Sequence, residues 1–290
     1  MKIPRNQLRM SITSGCNMKC IYCHNEGNTK SNQMKLDELE KIVAASLPYG
    51  LEEVRLTGGD PMTHPDIVNI CKLIVDKYKL RVGINTNCVK FDDLLSLCKE
   101  NYINRVVVGI DYFDQPISKN SPIGLSSSII LNRVKELKKY VNDISIDIVY
   151  SNNKDDILNL IDWGIKNHVR VKVIEIEENK MADSPTDDYL KICQEIIKKF
   201  QLIPIIDDNE EINGYKNNEK VVSFFHSLCR IRRCDICKKI QLRIDCKGIA
   251  KPCIFYNNQD VDLLEDNFDY NMKKVLSRKV DYHMTKKENN

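Results

Sequence analysis

Between Gln7 and Phe200, short apolar runs of strand length alternate six times with amphipathic helical runs, and that alternation admits few folds. The strand-like runs are Gln7–Thr13, Glu53–Leu56, Arg81–Thr86, Arg105–Ile110, Ile144–Val149 and Val169–Glu175. The helix-like runs are Leu36–Leu47, Asp66–Lys77, Phe91–Asn101, Ile129–Val141, Asp156–Lys166 and Asp187–Phe200. Asp37, Asp66 and Asp92 stand near helix starts, where caps and first-turn acids belong. Six strand–helix pairs in order predict a parallel sheet with right-handed crossovers. Either an open doubly wound sheet or an incomplete (β/α) barrel satisfies that pattern.

After Phe200 the pattern changes. Asp207–Lys220 is polar, acidic and rich in Asn, and reads as a linker or loop. Val221–Phe255 holds short apolar runs set between cysteines, and Asn271–Asn290 is a polar, fraying end. The expectation is therefore two units, residues 1–205 and 206–290. A length of 290 residues agrees with it at roughly 150 residues per domain. Lys+Arg 44 against Asp+Glu 41 leaves +3, too balanced to predict nucleic acid or an anionic membrane as partner. No apolar run approaches the roughly 20 residues of a membrane span. Met1–Met10 carries no secretory apolar stretch, so a cytoplasmic, reducing compartment is expected. Twelve cysteines in a reduced chain then call for metal or redox chemistry.

The cysteines divide by position. Cys71, Cys88, Cys98 and Cys193 fall in ordinary helix or strand and read as small buried hydrophobes. Cys16, Cys20 and Cys23 lie in one tight loop just past the first strand, at the end where parallel α/β folds build their sites. Three thiolates suit an iron–sulfur cube that keeps one iron open, whereas a structural zinc needs a fourth ligand such as His24. C-x3-C-x2-C in this place, with Tyr22 before the third cysteine, resembles the radical S-adenosylmethionine (radical SAM) superfamily. The resemblance implies a partial (β/α)6 TIM-type barrel with a [4Fe–4S] cluster on Cys16, Cys20 and Cys23 and bound S-adenosylmethionine. It places Thr57, Gly58, Gly59, Asp60 and Pro61 after strand two, where backbone and carboxylate hold the methionine amino group. The superfamily usually has Glu at the position of Asp60. Thr86-Asn87 at the end of strand three, Asp111 after strand four and Ile174 on strand six occupy further cofactor-facing positions, as does Tyr22. Cys88 stands where the family often has Gly.

The second cysteine group comprises Cys229, Cys234, Cys237, Cys246 and Cys253. A zinc site completed by Cys229 or Cys246 is one reading. Cys234-x2-Cys237, a basic strand, and Lys251-Pro252-Cys253-Ile254 resemble the end of the GTP 3′,8-cyclase (MoaA-like) family of molybdenum-cofactor biosynthesis. That resemblance implies a small C-terminal domain with a second [4Fe–4S] cluster on Cys234, Cys237 and Cys253, whose open iron meets substrate. Arg9 falls where the family has a catalytic arginine, Lys239 falls at the position of one substrate arginine, and Gln241 or, with the longer spacer, Arg243 falls at the next. The departures are a spacer of 15 residues that contains Cys246, Met62-Thr63-His64-Pro65 after the Gly-Gly turn, and the ending Lys286-Lys287-Glu288-Asn289-Asn290. His64 is a candidate substrate contact. His24, Asn25 and Glu26 stand at the cluster mouth, His226 precedes Cys229, and Arg230, Arg232 and Arg233 make a candidate phosphate-binding run. Trp163 reads as core.

The function implied is reductive cleavage of S-adenosylmethionine to a 5′-deoxyadenosyl radical, which removes hydrogen from a substrate that then cyclises or rearranges. A nucleotide or related small metabolite is the substrate on the cyclase side. A peptide or other small metabolite is the alternative, because superfamily members acting on those also carry auxiliary clusters. The partners implied are that substrate and a flavodoxin or ferredoxin as electron donor, with no nucleic acid and no membrane. A zinc-binding or redox-sensing protein without catalysis remains the reading from a different class. It leaves Gly58-Gly59-Asp60 and the polar strand ends unexplained.

Overall fold

The structure is a computed structural model that describes residues 1–20, 23, 32–113, 125–151, 153–176, 186–206, 212–217, 220–226, 236, 239–253 and 259–277. Six strands come in the expected order: β1 (Gln7–Thr13), β2 (Glu53–Gly58), β3 (Arg81–Thr86), β4 (Arg105–Gly109), β5 (Asp143–Tyr150) and β6 (Arg170–Glu175). The helices between them are α1 (Leu36–Ser46), α2 (Ile67–Lys72, continued by a π-helical stretch Leu73–Lys77), α3 (Asp92–Lys99), α4 (Ser127–Leu137), α5 (Lys154–Asn167) and α6 (Asp187–Lys199). β1 to β6 pair in parallel, each with the next. Thr186 caps α6 by accepting from Tyr189 N, and Glu38 closes the first turn of α1 by accepting from Lys35 N at 2.9 Å.

Alternation along the strands sets two faces. Leu8, Met10, Ile12, Val54, Leu56, Val82, Ile84, Val106, Val108, Ile146 and Ile148 are fully buried on the outer face, in one core with the helices. The inner face carries Arg9, Arg55, Asn85, Arg105, Asp147 and Lys172. Arg9 on β1 acts electrostatically on Asp147 of β5 and Lys172 of β6. A flat sheet would hold β1 and β6 about 24 Å apart, so the sheet curls around a lumen. It does not close. This is the partial barrel expected from the sequence.

Beyond α6 the chain extends both edges of the same sheet. β7 (Ile203–Ile206), β8 (Ile212–Asn217) and β9 (Lys220–Phe225) form an antiparallel set, and β9 joins β6 in parallel. β10 (Leu242–Ile244) joins β1 in parallel, and β11 (Ile249–Lys251) and β12 (Val261–Asp262) follow antiparallel. The loop expected over Asp207–Lys220 is thus partly strand. Its turn-forming composition is overridden by pairing on both sides of β8, and Tyr215 packs edge-on against Phe224 with ring centroids 5.3 Å apart. A last helix, α7 (Phe268–Ser277), docks through Tyr49, whose hydroxyl bonds to Asp269. Cys71, Cys88, Cys98 and Cys193 are buried, and burial pushes each thiol up to about 12. They are core, as expected, while Trp163 is half-buried beside Lys135. No helix among the described residues is long and apolar enough to cross a membrane.

Candidate active site

The C-terminal ends of β1, β2 and β3 are bonded into one rim. Met34 N donates to Ile12 O at 2.9 Å, and Ser14 and Asn32 exchange Ser14 N→Asn32 O and Asn32 N→Ser14 Oγ, both 2.9 Å. The start and the exit of the cysteine loop are thereby held side by side. Within it, Met18 N donates to Cys16 Sγ at 3.3 Å and Cys23 N to Cys20 O at 3.1 Å. Burial raises the Cys16 thiol, Met18 N–H pulls it down, and nearby Asp60 and Cys23 push it further up. A bound cation reverses such a balance and favours the thiolate. Three unbridged thiols in one loop are the donor set that an iron–sulfur cluster with one open iron takes. Among the described residues no three Cys, His, Asp or Glu side chains gather closely enough for a single metal ion.

The turn after β2 sits directly on this loop. Gly59 N donates to Thr13 O and Asp60 N to Gly15 O, each at 2.8 Å, and Thr63 Oγ1 donates to Gly15 O at 3.0 Å. A Cβ on Gly59 would stand 2.2 Å from Gly15 O and 2.8 Å from Cys16 Cβ. One on Gly58, whose φ is +147°, would stand 2.2 Å from Thr13 O. Only glycine allows this approach. Thr57 Oγ1 reaches Met10 O, and Pro61 starts a single 3-10 turn, Pro61–Thr63.

Asp60 is 2% exposed and its carboxylate is used inside the protein. It accepts from Met62 N at 2.9 Å, Thr86 Oγ1 at 2.9 Å and Asn87 N at 2.8 Å. Burial raises its carboxyl against the pull of these donors. These bonds fasten the β2 turn to the end of β3. Asn87 passes the link on, donating from Nδ2 to Asn17 Oδ1 at 2.6 Å in the cysteine loop. Cys88 adopts φ +60°, the left-handed region that favours glycine. Its carbonyl and that of Val89 accept from Arg133 of α4, both at 2.8 Å. Asn17 and Arg133 carry no sequence signal that marks them beforehand.

Other expected residues divide. Asp111 lies on the rim, 3% exposed, and accepts from Val149 N at 2.9 Å. Ile174 is half-buried on the inner row of β6, one position above Lys172 in that row. Arg9 and Arg243 are register partners on β1 and β10 and share the inner face. His64 corrects the sequence reading. It is 3% exposed, its Nε2 meets Met34 O at 3.0 Å, and its Nδ1 accepts from Asp66 N at 3.1 Å. Both ring nitrogens are engaged in tying the turn to the loop exit, which leaves none for a substrate. Lys239 is exposed. Tyr22, His24, Asn25, Glu26, Cys229, Arg230, Arg232, Arg233, Cys234 and Cys237 lie outside the described residues.

Cys246 and Cys253 are separated by the hairpin that carries them. Arg243 pairs with Lys251 and Ile244 with Ala250. Cys246 therefore sits in the turn at the cluster-loop end, beside Ser14 N–H. Cys253 lies past the far end of β11, level with residue 241. Five residue levels at about 3.3 Å each put them roughly 16 Å apart along the strands.

Comparison with known proteins gives a consistent picture. The family model described as Radical SAM superfamily matches residues 10–164. A protein of Methanococcus vannielii named "Probable GTP 3',8-cyclase" is 28% identical over 267 residues, covering 88% of this chain and 87% of that protein. The protein of Campylobacter jejuni subsp. doylei named "GTP 3',8-cyclase" is 26% identical over 275 residues, covering 87% and 81%. Among solved structures, Streptococcus suis SuiB bound to S-adenosylmethionine matches with a TM-score of 0.70 at 18% identity, covering 95% of this chain and 68% of that one.

Proposed function

The chain belongs to the radical SAM superfamily, and on that premise we propose that it cleaves S-adenosylmethionine reductively and acts on an anionic small molecule of the nucleotide class. The observation that carries the first half is the interlocked rim. Cys16, Cys20 and Cys23 would hold the cluster, on a loop pressed against Gly58, Gly59 and Asp60 and linked through Asn17 to Asn87. Thr57, Pro61, Thr86, Asp111 and Ile174 would complete the cradle for S-adenosylmethionine. When bound, the cluster supplies the electron that splits this cofactor into methionine and a 5′-deoxyadenosyl radical. The protein's own work is to seat both, to keep water out of the lumen and to hold a substrate C–H bond in reach.

The second half is supported by the lumen and by the relatives. Arg9, Arg55, Arg105, Arg243 and Lys172 line the inner face, a set suited to phosphate oxygens. Arg55 is pushed down to about 10, by burial first and by neighbouring Arg105 and Arg9. So dense a group of half-buried cations is relieved by an anion. The names of the curated relatives point to GTP. A flavodoxin or ferredoxin is the electron donor on this reading.

Anaerobic reconstitution with dithionite and S-adenosylmethionine should yield 5′-deoxyadenosine, and Cys20→Ala should abolish it. Absence of the product from the unaltered chain sinks the reading. Micromolar or tighter binding of GTP supports the nucleotide class, and its absence turns the search towards peptides.

A second [4Fe–4S] cluster on Cys234, Cys237 and Cys253 belongs to the same reading. The hairpin register sets Cys246 apart from Cys253, which supports a ligand set without Cys246. Reconstituted wild type should hold about eight irons, Cys246→Ser the same number, and Cys253→Ser about four. Loss of iron on replacing Cys246 would contradict the register argument.

A further inference from the structure

One inner-face group is left unused by the cluster loop and by the cradle. Asp147 lies on β5, with Gly109 of β4 and Lys172 of β6 as register partners. Lys172, Arg9, Arg55 and Arg105 all act on it. No hydrogen bond or ion pair joins its carboxylate to a described residue. A carboxylate held among cations without closing on any of them is placed for something that enters.

Two further observations mark the same inner face. A Cβ added at Gly109, next to Asp147, would meet nothing within 4 Å. Arg55 Nε, Asn85 Oδ1 and Arg105 Nε, from the inner rows of β2, β3 and β4, are buried without a hydrogen-bond partner among the described residues. Arg105 Nε is 3.5 Å from Asp143 and Arg55 Nη2 is 3.6 Å from Glu53, so both guanidinium groups are near carboxylates but keep an unused donor. Buried polar atoms of this kind call for a bound group. The unused set contains donors (Arg55, Arg105) and acceptors (Asn85 Oδ1, Asp147). A bare polyanion satisfies the donors alone. It also brings negative charge towards Asp147, which costs affinity.

We propose that Asp147 is a specificity-determining residue of the lumen. It selects substrates that present an N–H or O–H edge together with their anionic group, as a nucleoside phosphate does, and it rejects simple polyanions. The inference rests on the nucleotide reading above and names the group that enforces it. Asn85 Oδ1 offers a second acceptor for the same edge. Specificity arises because a ligand lacking the donating edge leaves both acceptors unpaired in a dry site.

The test compares GTP with inorganic tripolyphosphate by calorimetry on the reconstituted protein. Wild type should prefer GTP. Asp147→Asn removes the charge and keeps the shape, and the ratio of the two affinities should fall at least tenfold, mainly through tighter tripolyphosphate binding. A merely structural role would weaken both ligands together and leave the ratio in place. Gly109→Leu, or the smaller Gly109→Val, should block both ligands while the chain stays folded, because the added atoms enter open space. An unchanged ratio in Asp147→Asn overturns the inference, as does full binding by both Gly109 variants. Failure of wild type to bind either probe overturns it too. Failure of the radical SAM reading shows separately, as absence of 5′-deoxyadenosine from wild type.

Discussion

Gly59→Ala should empty the first cluster site although all three of its cysteines remain. The added methyl would lie 2.2 Å from Gly15 O and 2.8 Å from Cys16 Cβ. The first of these is a backbone atom that cannot swing aside. Either the β2 turn or the cysteine loop must move by more than 1 Å, and each is bonded to the other through Gly59 N→Thr13 O and Asp60 N→Gly15 O. Overpacking of this kind costs about 1–3 kcal/mol. The larger effect is geometric, since displacement of Cys16 spoils the convergence that three thiolates need. Iron after reconstitution should drop by about half, from about eight to about four, and 5′-deoxyadenosine formation should disappear. Gly109→Ala is the matched control. It is the same substitution at another strand end, its Cβ meets nothing within 4 Å, and it should keep the wild-type iron content. If Gly59→Ala retains all of its iron, the close approach does not set the loop.

How far the sequence foretells this rim depends on the range of each interaction. The strands and helices up to Phe200 are legible because their apolar spacing is a local property, and observed boundaries fall within about two residues of those expected at most ends. The cysteine loop and the Gly-Gly-Asp turn are legible as motifs. What they do to one another is not. Asp60 reads as a carboxylate for the cofactor's amino group, and its bonds to Thr86 and Asn87 are evident only when these arrive from β3. His64 reads as a substrate contact until Met34, thirty residues earlier, returns to meet its ring. Asn17 and Arg133 sit in unremarked polar positions and gain their roles from partners 70 and 45 residues away. β8 is missed for the opposite reason: its local composition reads as a turn, and the pairing that overrides it is supplied only by the fold. The inward row of charges is intermediate. Arg55, Arg105, Asp147 and Lys172 all alternate with apolar residues along their strands, so a shared face is readable. That the face curls into a lumen and leaves Asp147 without a hydrogen bond or ion pair among the described residues is not.

Asp60→Asn should cost about 3 kcal/mol of stability and weaken S-adenosylmethionine binding at least tenfold, despite its equal shape. The carboxylate accepts from two backbone N–H groups, Met62 and Asn87, on different oxygens, and from Thr86 Oγ1 on both. An amide offers one oxygen. Its NH2 must face either Met62 N–H or Asn87 N–H, and a buried donor then meets a donor. Leaving one such group unsatisfied costs about 1–3 kcal/mol, and the remaining bonds lose their charge assistance. Asp60→Glu should also destabilise, by about 1–3 kcal/mol, because a site 2% exposed has no room for a further methylene. The functional loss follows from position, since Asn87 holds Asn17 in the cysteine loop and is itself held by Asp60. Thr86→Val tests the chain of contacts. Alone it leaves the Asp60 oxygens and Cys88 N short of a partner. Denaturant unfolding of both single variants and the double variant should give a coupling of about 1–2 kcal/mol, as expected for groups in direct contact. Additive losses would mean that Asp60 stabilises the turn alone and does not fasten β2 to β3.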